Sequence, residues 1–431
     1  MKNKKKNKII SLIKNWKKFK IVQKIYIIFI ITNILLINNI CYANIDDNEI
    51  INVNKIKEET VETVANNTEE LKINSKIGLI FDRKSKTILY EKNGLKQVPM
   101  ASTTKIMTAI VVLENANLSD IVTISKKAAG TGGSRLGLKT GDKITIHDLL
   151  YGLMLKSGND TAVALAEHVG GGITEFAELM NKKAKELGLI NSHFVTPHGL
   201  DEDKHYTTAY ELAYMTDYAL NIPKFKEIVG SKSYNITINA KSSLISNTNE
   251  LLGNLYGVYG VKTGFTNGAG RCLVTACKRN NLDIITVVLG ADTKKIRTSD
   301  SVKLIEYANQ NYEVINIENK IKEKFENWKQ LNIKRIYINK AKTQNINLES
   351  ENMKNTEMAI KKSNIDNIEI EINFLYYLEA PVEKNKIVGN IKVKIEGETI
   401  ANLSIFNTEV ILKKGIFDYF IDFLSLVPWL L

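Results

Sequence analysis

Three short motifs in this 431-residue chain carry residue types suited to acyl-transfer chemistry. The first is Ser102-Thr103-Thr104-Lys105. Residues three apart on a helix share a face, so the Ser102 hydroxyl and the Lys105 amine are predicted to sit side by side. A serine is a weak nucleophile without an adjacent base. A lysine can be that base when burial and a neighbouring cation draw its pKa down. The second motif is Ser157-Gly158-Asn159, in L-M-L-K-S-G-N-D-T-A. A short loop between helices would present a hydroxyl for proton relay and an amide for substrate hydrogen bonding. The third is Lys262-Thr263-Gly264, which leads into the strand-like G-R-C-L-V-T-A-C. There Lys262 projects charge into a cleft, Thr263 can hydrogen-bond a carboxylate, and Gly264 lets a substrate backbone approach closely. Each motif alone is common. Ser11-Leu12-Ile13-Lys14 matches the first inside a basic leader, and Lys139-Thr140-Gly141 repeats the third in what reads as a turn.

The elements that must position these residues follow from periodicity. K-I-G-L-I-F-D and T-I-L-Y-E-K read as two strands joined at Arg83 to Lys86. Helical patterning runs from Thr103 through I-M-T-A-I-V-V-L-E-N, from His147 to Val169, and from Thr174 to Leu187. Strands return at Gly270 to Lys278 and Asp283 to Gly290, joined by Asn280-Asn281, and a helix follows from Ser299 to Asn311. Strands at both ends with helices between predict an α+β domain over residues 75–312, a mostly antiparallel sheet carrying packed helices. Short alternating runs such as I-E-I-E-I-N-F predict a smaller all-β domain over 313–410, with a long polar loop from Lys342 to Lys362.

The ends carry addressing signals. The net charge is +12, but the first 24 residues hold ten lysines and no acid. The remainder is nearly neutral and needs no nucleic-acid partner. The apolar run from Ile25 to Ile40 is broken by three asparagines, too short a stretch to span a bilayer. Ala43 follows at a signal-peptidase position, so residues 1–43 read as a secretory signal and 44–74 as a solvated polar spacer. Residues 411–431 read as an amphipathic helix lying on a membrane surface, with Phe417, Phe420, Ile421 and Leu424 on one face. Cys272 and Cys277 are five apart on a strand, so they point to opposite sides and are plain core residues. The histidines do not form H-E-x-x-H and no cysteine cluster has zinc spacing, so neither metal nor cofactor is expected.

Taken in order, S-x-x-K, S-G-N and K-T-G match the signature of penicillin-binding proteins and class A β-lactamases. The flanks extend the match: P-M-A-S-T-T-K-I-M-T-A, T-P-H-G-L-D, H-Y-T-T-A-Y-E-L-A and G-V-K-T-G-F-T-N-G-A-G-R. Over about residues 75 to 405 the chain resembles the low-molecular-mass penicillin-binding proteins, the D-alanyl-D-alanine carboxypeptidases. The segment L-E-A-P-V-E-K-N-K-I-V-G resembles that family's β-sandwich C-terminal domain, and the last helix its usual anchor.

The resemblance implies an extracytoplasmic, membrane-tethered enzyme that removes the terminal D-alanine from peptidoglycan stem peptides ending in D-Ala-D-Ala. It implies Ser102 as nucleophile, Lys105 as base, Ser157 and Lys262 as proton relay, and Asn159 on the acyl side. The backbone N–H groups of Ser102 and Phe265 would form the oxyanion hole. Thr263 and Arg297 would take the free carboxylate, with Gly264, Phe265 and Thr266 in the substrate-binding set. His198 and His205 read as supports of the cleft, with His198 and Leu200 lining it. β-Lactams would trap Ser102. Phe265 departs from members that carry histidine there, which touches preference rather than mechanism. The alternatives are a class A-like β-lactamase, a D,D-endopeptidase acting on cross-links, or a wall-binding protein without activity. The stretch from Leu187 to Leu200 has no acid to activate a deacylating water, which disfavours the lactamase.

Overall fold

The structure, a computed structural model, describes residues 50–66, 71–353 and 356–426. The expected signal over 1–43 lies outside these, as do residues 427–431 of the terminal stretch. A five-stranded antiparallel sheet organises the larger domain. Its strands are β1 (Ile77–Asp82), β2 (Ile88–Lys92), β3 (Val258–Thr266), β4 (Gly270–Arg279) and β5 (Leu282–Ala291), in the order β2-β1-β5-β4-β3. β1, β4 and β5 are buried almost throughout, which is why they read as near-continuous apolar runs.

Helices cover both faces. The longer helices are α1 (Val53–Asn66), α2 (Lys105–Asn115), α3 (Ile146–Leu155), α4 (Asn159–Gly170), α5 (Ile173–Glu186), α6 (Ala209–Leu220), α7 (Pro223–Val229) and α8 (Lys294–Asn311). One core joins α2 to α7 with Leu79, Phe81, Cys272, Val274 and Val287. The other joins α8 and α1 with Ile80, Leu273, Cys277, Ile284 and Val288. The two-residue period thus sends Cys272 and Cys277 to opposite cores, and both are free and buried.

Several boundaries differ from the sequence reading. The expected solvated spacer over 44–74 instead contributes α1, whose Val53 and Ile56 are buried in the second core and whose Thr60 is buried too. Its apolar stripe is too narrow to stand out among the acids and asparagines around it. The single helical stretch from His147 to Val169 is two helices, split at Ser157, whose φ of 59° ends the first. α8 starts at Lys294 rather than Ser299, because the Thr293 hydroxyl caps it by accepting from Ile296 N at 3.1 Å.

The smaller domain has its own core, including Ile338, Val388, Ile391, Val393 and Ile405. It begins with β6 (Tyr312–Asn316), then α9 (Ile317–Asn332), β7 (Leu348–Ser350), β8 (Glu357–Lys361), β9 (Ile368–Phe374), β10 (Ile387–Ile395) and β11 (Glu398–Asn407). A four-stranded sheet runs β7-β11-β10-β9, and β6 pairs with β8. The sheet domain is as expected, but α9 was not. The polar stretch from Lys342 to Lys362 is not one loop, since it supplies β7 and β8. Charged residues on these short strands hid their alternation. The last element, α10 (Ile416–Leu426), is short of a span, and no helix among the described residues is long and apolar enough to cross a membrane.

Candidate active site

Ser102 sits in a tight turn, Ala101–Thr104, that opens directly into α2. Ala101 adopts φ 48°, a left-handed conformation that costs a non-glycine residue roughly 1–2 kcal/mol. The turn is held from behind. Thr104 Oγ1 donates to Ala101 O at 2.8 Å and meets His205 Nε2 at 2.7 Å. His205 Nδ1 accepts from Val195 N at 2.9 Å, so Nε2 carries the proton and donates to Thr104. Burial and the His193 charge draw the His205 pKa down to about 4, leaving the ring neutral. His205 thus braces the turn from behind.

Lys105 is fully buried, with Nζ 2.9 Å from Ser102 Oγ. The same nitrogen donates to Asn159 Oδ1 at 2.7 Å and to His198 O at 2.8 Å. Burial and the nearby Lys262 charge draw its pKa well below that of a free lysine, with Asp160 acting weakly the other way. His198 thus serves through its main-chain carbonyl. Its ring, drawn down to about 3 by burial and by Lys105, accepts from Leu200 N at 3.2 Å.

Ser157 and Asn159 come from the turn between α3 and α4. Asn159 Nδ2 donates one hydrogen to Gly132 O at 2.7 Å, leaving its second N–H free to serve a ligand. Gly133 is required there, since a Cβ would stand 2.7 Å from Asn159 Nδ2 and its φ is 79°. Asp160 clamps the same loop, accepting from Leu136, Gly137 and Leu138 N–H groups at 2.8–3.0 Å.

β3 is an edge strand, so alternate backbone groups face away from β4 and are available to a ligand strand. It runs against the Ser102 turn. A Cβ on Gly264 would lie 3.1 Å from Ser102 N and 3.3 Å from Thr103 N. Lys262 is buried and donates to Thr263 O at 3.0 Å; burial and the Arg297 charge draw its pKa down to about 7. Thr263 Oγ1 meets Thr248 Oγ1 at 2.7 Å. The Phe265 ring stacks on the Arg271 guanidinium with 3.9 Å from its central carbon to the ring centroid.

A cavity of about 480 Å³ gathers Ser102, Ser157, Thr263, Gly264, Phe265 and Arg297 on its walls. Lys105 and Asn159 stand behind Ser102, and Lys262 lies beneath Thr263. Three expected substrate-binding residues are not on those walls. Thr266 Oγ1 is committed to Asp201 at 2.6 Å, bracing the β3–β4 turn. His198 and Leu200 lie on the side of Lys105 and Gly133. The second K-T-G, at Lys139, is a turn with Gly141 at φ 87° and is not on the cavity walls. The sequence reading missed Ser134, Thr248, Glu250, Arg271 and Lys294 on the walls. They come from polar loops and strand or helix ends with no spacing that ties them to the motifs. Asp160 was also missed, although an acid right after Asn159 is a visible signal at a helix start.

An antiparallel sheet with helices on both faces, a serine–lysine pair at a helix start and an edge K-T-G strand define a penicillin-interacting serine acyl-transferase. The D-alanyl-D-alanine carboxypeptidase family model matches residues 62–293, and that of the penicillin-binding protein 5 C-terminal domain matches 325–414. The chain belongs to the D-alanyl-D-alanine carboxypeptidase family. It is 33% identical to D-alanyl-D-alanine carboxypeptidase DacF of Bacillus subtilis over 83% of this chain and 90% of that protein. It is 31% identical to DacC of Escherichia coli K12 over 82% and 88%. Among solved structures, penicillin binding protein 5 of Haemophilus influenzae superposes with TM-score 0.64 at 28% identity, covering 80% of this chain and all of that one. The Streptomyces K15 DD-transpeptidase superposes with TM-score 0.53 at 36% identity, covering 56% of this chain and 98% of that one.

Proposed function

We propose that this chain works as a serine D-Ala-D-Ala carboxypeptidase through an acyl-enzyme on Ser102. The observation that carries the residue assignment is the hydrogen bonding of Lys105 Nζ. A neutral amine has two hydrogens and one lone pair. Asn159 Oδ1 and His198 O cannot donate back from those atoms, so they take the two hydrogens. In the neutral amine the lone pair then faces Ser102 Oγ, 2.9 Å away, placed to take its proton. Lys105 is a base aimed at one proton.

The Ser102 proton passes to Lys105 as Oγ bonds to the carbonyl carbon between the two D-alanines. The oxyanion lies between the N–H groups of Ser102 and Phe265, each worth about 3–4 kcal/mol of barrier. The C–N bond breaks, and the leaving amine takes that proton from Lys105 by way of Ser157, under the Lys262 charge. Thr263 and Arg297 hold the terminal carboxylate, and Asn159 Nδ2 the acyl carbonyl. Water then attacks the ester, Lys105 again taking the proton and returning it to Ser102 Oγ as the ester C–O bond breaks, and the shortened stem peptide leaves. The substrate is the peptidoglycan stem peptide, and β-lactams acylate the same serine.

The site works outside the cytoplasmic membrane. Export through residues 1–43, a catalytic domain over 75–312 extended by α1, a β domain over 313–410 and a tether over 411–431 complete the proposal. Supporting the tether, Asp418 and Asp422 are paired with Lys342 and Lys414 at 3.1 and 2.5 Å. That leaves Ile416, Phe417, Phe420 and Ile421 exposed.

The test is release of D-alanine from a pentapeptide ending in D-Ala-D-Ala. Release by the wild type and none by Ser102→Ala is expected. No release by protein that still reacts with fluorescent penicillin would refute it, and cleavage of cross-linked dimers alone would make it an endopeptidase. Rapid turnover of a cephalosporin would make it a β-lactamase.

A further inference from the structure

Glu250 is the acid on the cavity wall, surrounded there by Arg271, Lys294 and Arg297. Its Oε1 accepts from both Arg297 Nη2 and Thr298 Oγ1. Its Oε2 is buried without a hydrogen-bond partner among the described residues, and so is Arg297 Nε. The pair is therefore joined end-on, through one oxygen, where a carboxylate and a guanidinium can engage through two. Burial pushes the Glu250 carboxyl up, but the Arg297 charge and the Thr298 hydroxyl outweigh it and hold the group below the ordinary carboxylate range. It is an anion at neutral pH. A second anion, the terminal carboxylate of the substrate, is assigned above to the same guanidinium.

We propose that Glu250 is a specificity-determining residue: a resident carboxylate that holds Arg297 at the cavity wall and competes for it with the terminal carboxylate of the substrate. The inference rests on the reading of Arg297 as the carboxylate binder. A half-engaged pair can be reopened or shared, because Arg297 Nε has no partner to give up. The arriving carboxylate meets a guanidinium already partly neutralised, so Glu250 weakens binding of acid-ended peptides without touching the reacting carbonyl. The same competition helps to expel free D-alanine, whose carboxylate would otherwise stay on Arg297. A ligand with an uncharged end neither gains from Arg297 nor loses to Glu250. Lys262 also feels this balance, since the Arg297 charge is one cause of its lowered pKa. Without Glu250 that charge acts less screened.

The experiment compares two pentapeptides, one ending in the free acid and one in the carboxamide, on the full chain. Glu250→Gln keeps the shape and the acceptor toward Thr298. The expected result is a KM for the acid-ended peptide lowered roughly tenfold, the low end for close charge pairs, with the carboxamide KM unchanged. The alkaline limb of the pH profile should move to lower pH. An acid-peptide KM that is unchanged or raised overturns the proposal. Arg297→Gln separates the two layers. If it leaves the preference for the acid intact, the carboxylate assignment itself fails. If it abolishes the preference while Glu250→Gln is silent, only the present inference fails. Should Glu250→Gln lose its reaction with fluorescent penicillin, Glu250→Asp replaces it. That variant draws the charge back one methylene and should lower the same KM by a smaller factor; an unchanged KM again overturns the proposal.

Discussion

The buried lysine of β3 makes a stability prediction that a purely structural residue would not. Lys262 is 1% exposed, and burial followed by the Arg297 charge draws its pKa down to about 7. A lysine in the unfolded chain titrates near 10.4, so the shift of roughly three units corresponds to about 4 kcal/mol. The unfolded chain binds more protons across this window, so folding weakens as pH falls through it. The cost is complete at and below about pH 7 and gone once the unfolded lysine also deprotonates, above about pH 10. Lys262→Met keeps the length of the stem and removes the charge. It forfeits the hydrogen bond to Thr263 O, worth about 1 kcal/mol. The net expectation is a gain of about 3 kcal/mol at pH 7, raising the catalytic-domain midpoint by roughly 6–12 °C. Near pH 10 the gain should vanish, while D-alanine release is lost at pH 7. Differential scanning calorimetry of both proteins at the two pH values measures it. A variant less stable at pH 7, or equally stabilised at both, would show that Lys262 does not carry a depressed pKa and would refute the reasoning.

Other outcomes follow from the same geometry. The profile of kcat/KM against pH should rise as Lys105 deprotonates and fall as Lys262 loses its proton around pH 7; Lys262→Arg, which does not titrate, should keep activity past that point. Gly264→Ala would press a Cβ to within 3.1 Å of Ser102 N, and should slow penicillin acylation by about 100-fold with little change in melting temperature. Asp160→Asn should free the 132–138 loop that its carboxylate clamps, lowering kcat/KM about tenfold for peptide and penicillin alike, measured by stopped-flow acylation. Removing residues 416–431 should release the enzyme from vesicles in a flotation assay without loss of D-alanine release; continued flotation would place the membrane contact elsewhere.

Much of the chemistry was legible because it is local. Ser102 and Lys105 are one helical turn apart, and Lys262 to Phe265 are consecutive on a strand, so their relative placement follows from backbone periodicity. The same holds for Cys272 and Cys277, which the two-residue period sends to separate cores. The second K-T-G reads as a turn because the polar Asp142 follows it directly, and only a three-residue strand, Lys143–Thr145, comes after. Where polar residues masked a thin apolar stripe, as in α1, or a few alternating positions, as in β7 and β8, the elements were missed.

The amino-acid order determined which residues could act and on which elements they ride. It could not determine how those elements meet. Only the tertiary structure brings Asn159 Oδ1, His198 O and Ser102 Oγ together around Lys105 Nζ. Only packing places Glu250 on Arg297, 47 residues apart. It also turns Thr266 toward Asp201, away from the cavity. The physical reason is that burial and charge act through space. A side chain's pKa and its hydrogen-bond partners depend on everything packed around it, whereas spacing along the chain fixes only the near neighbours of one helix or strand.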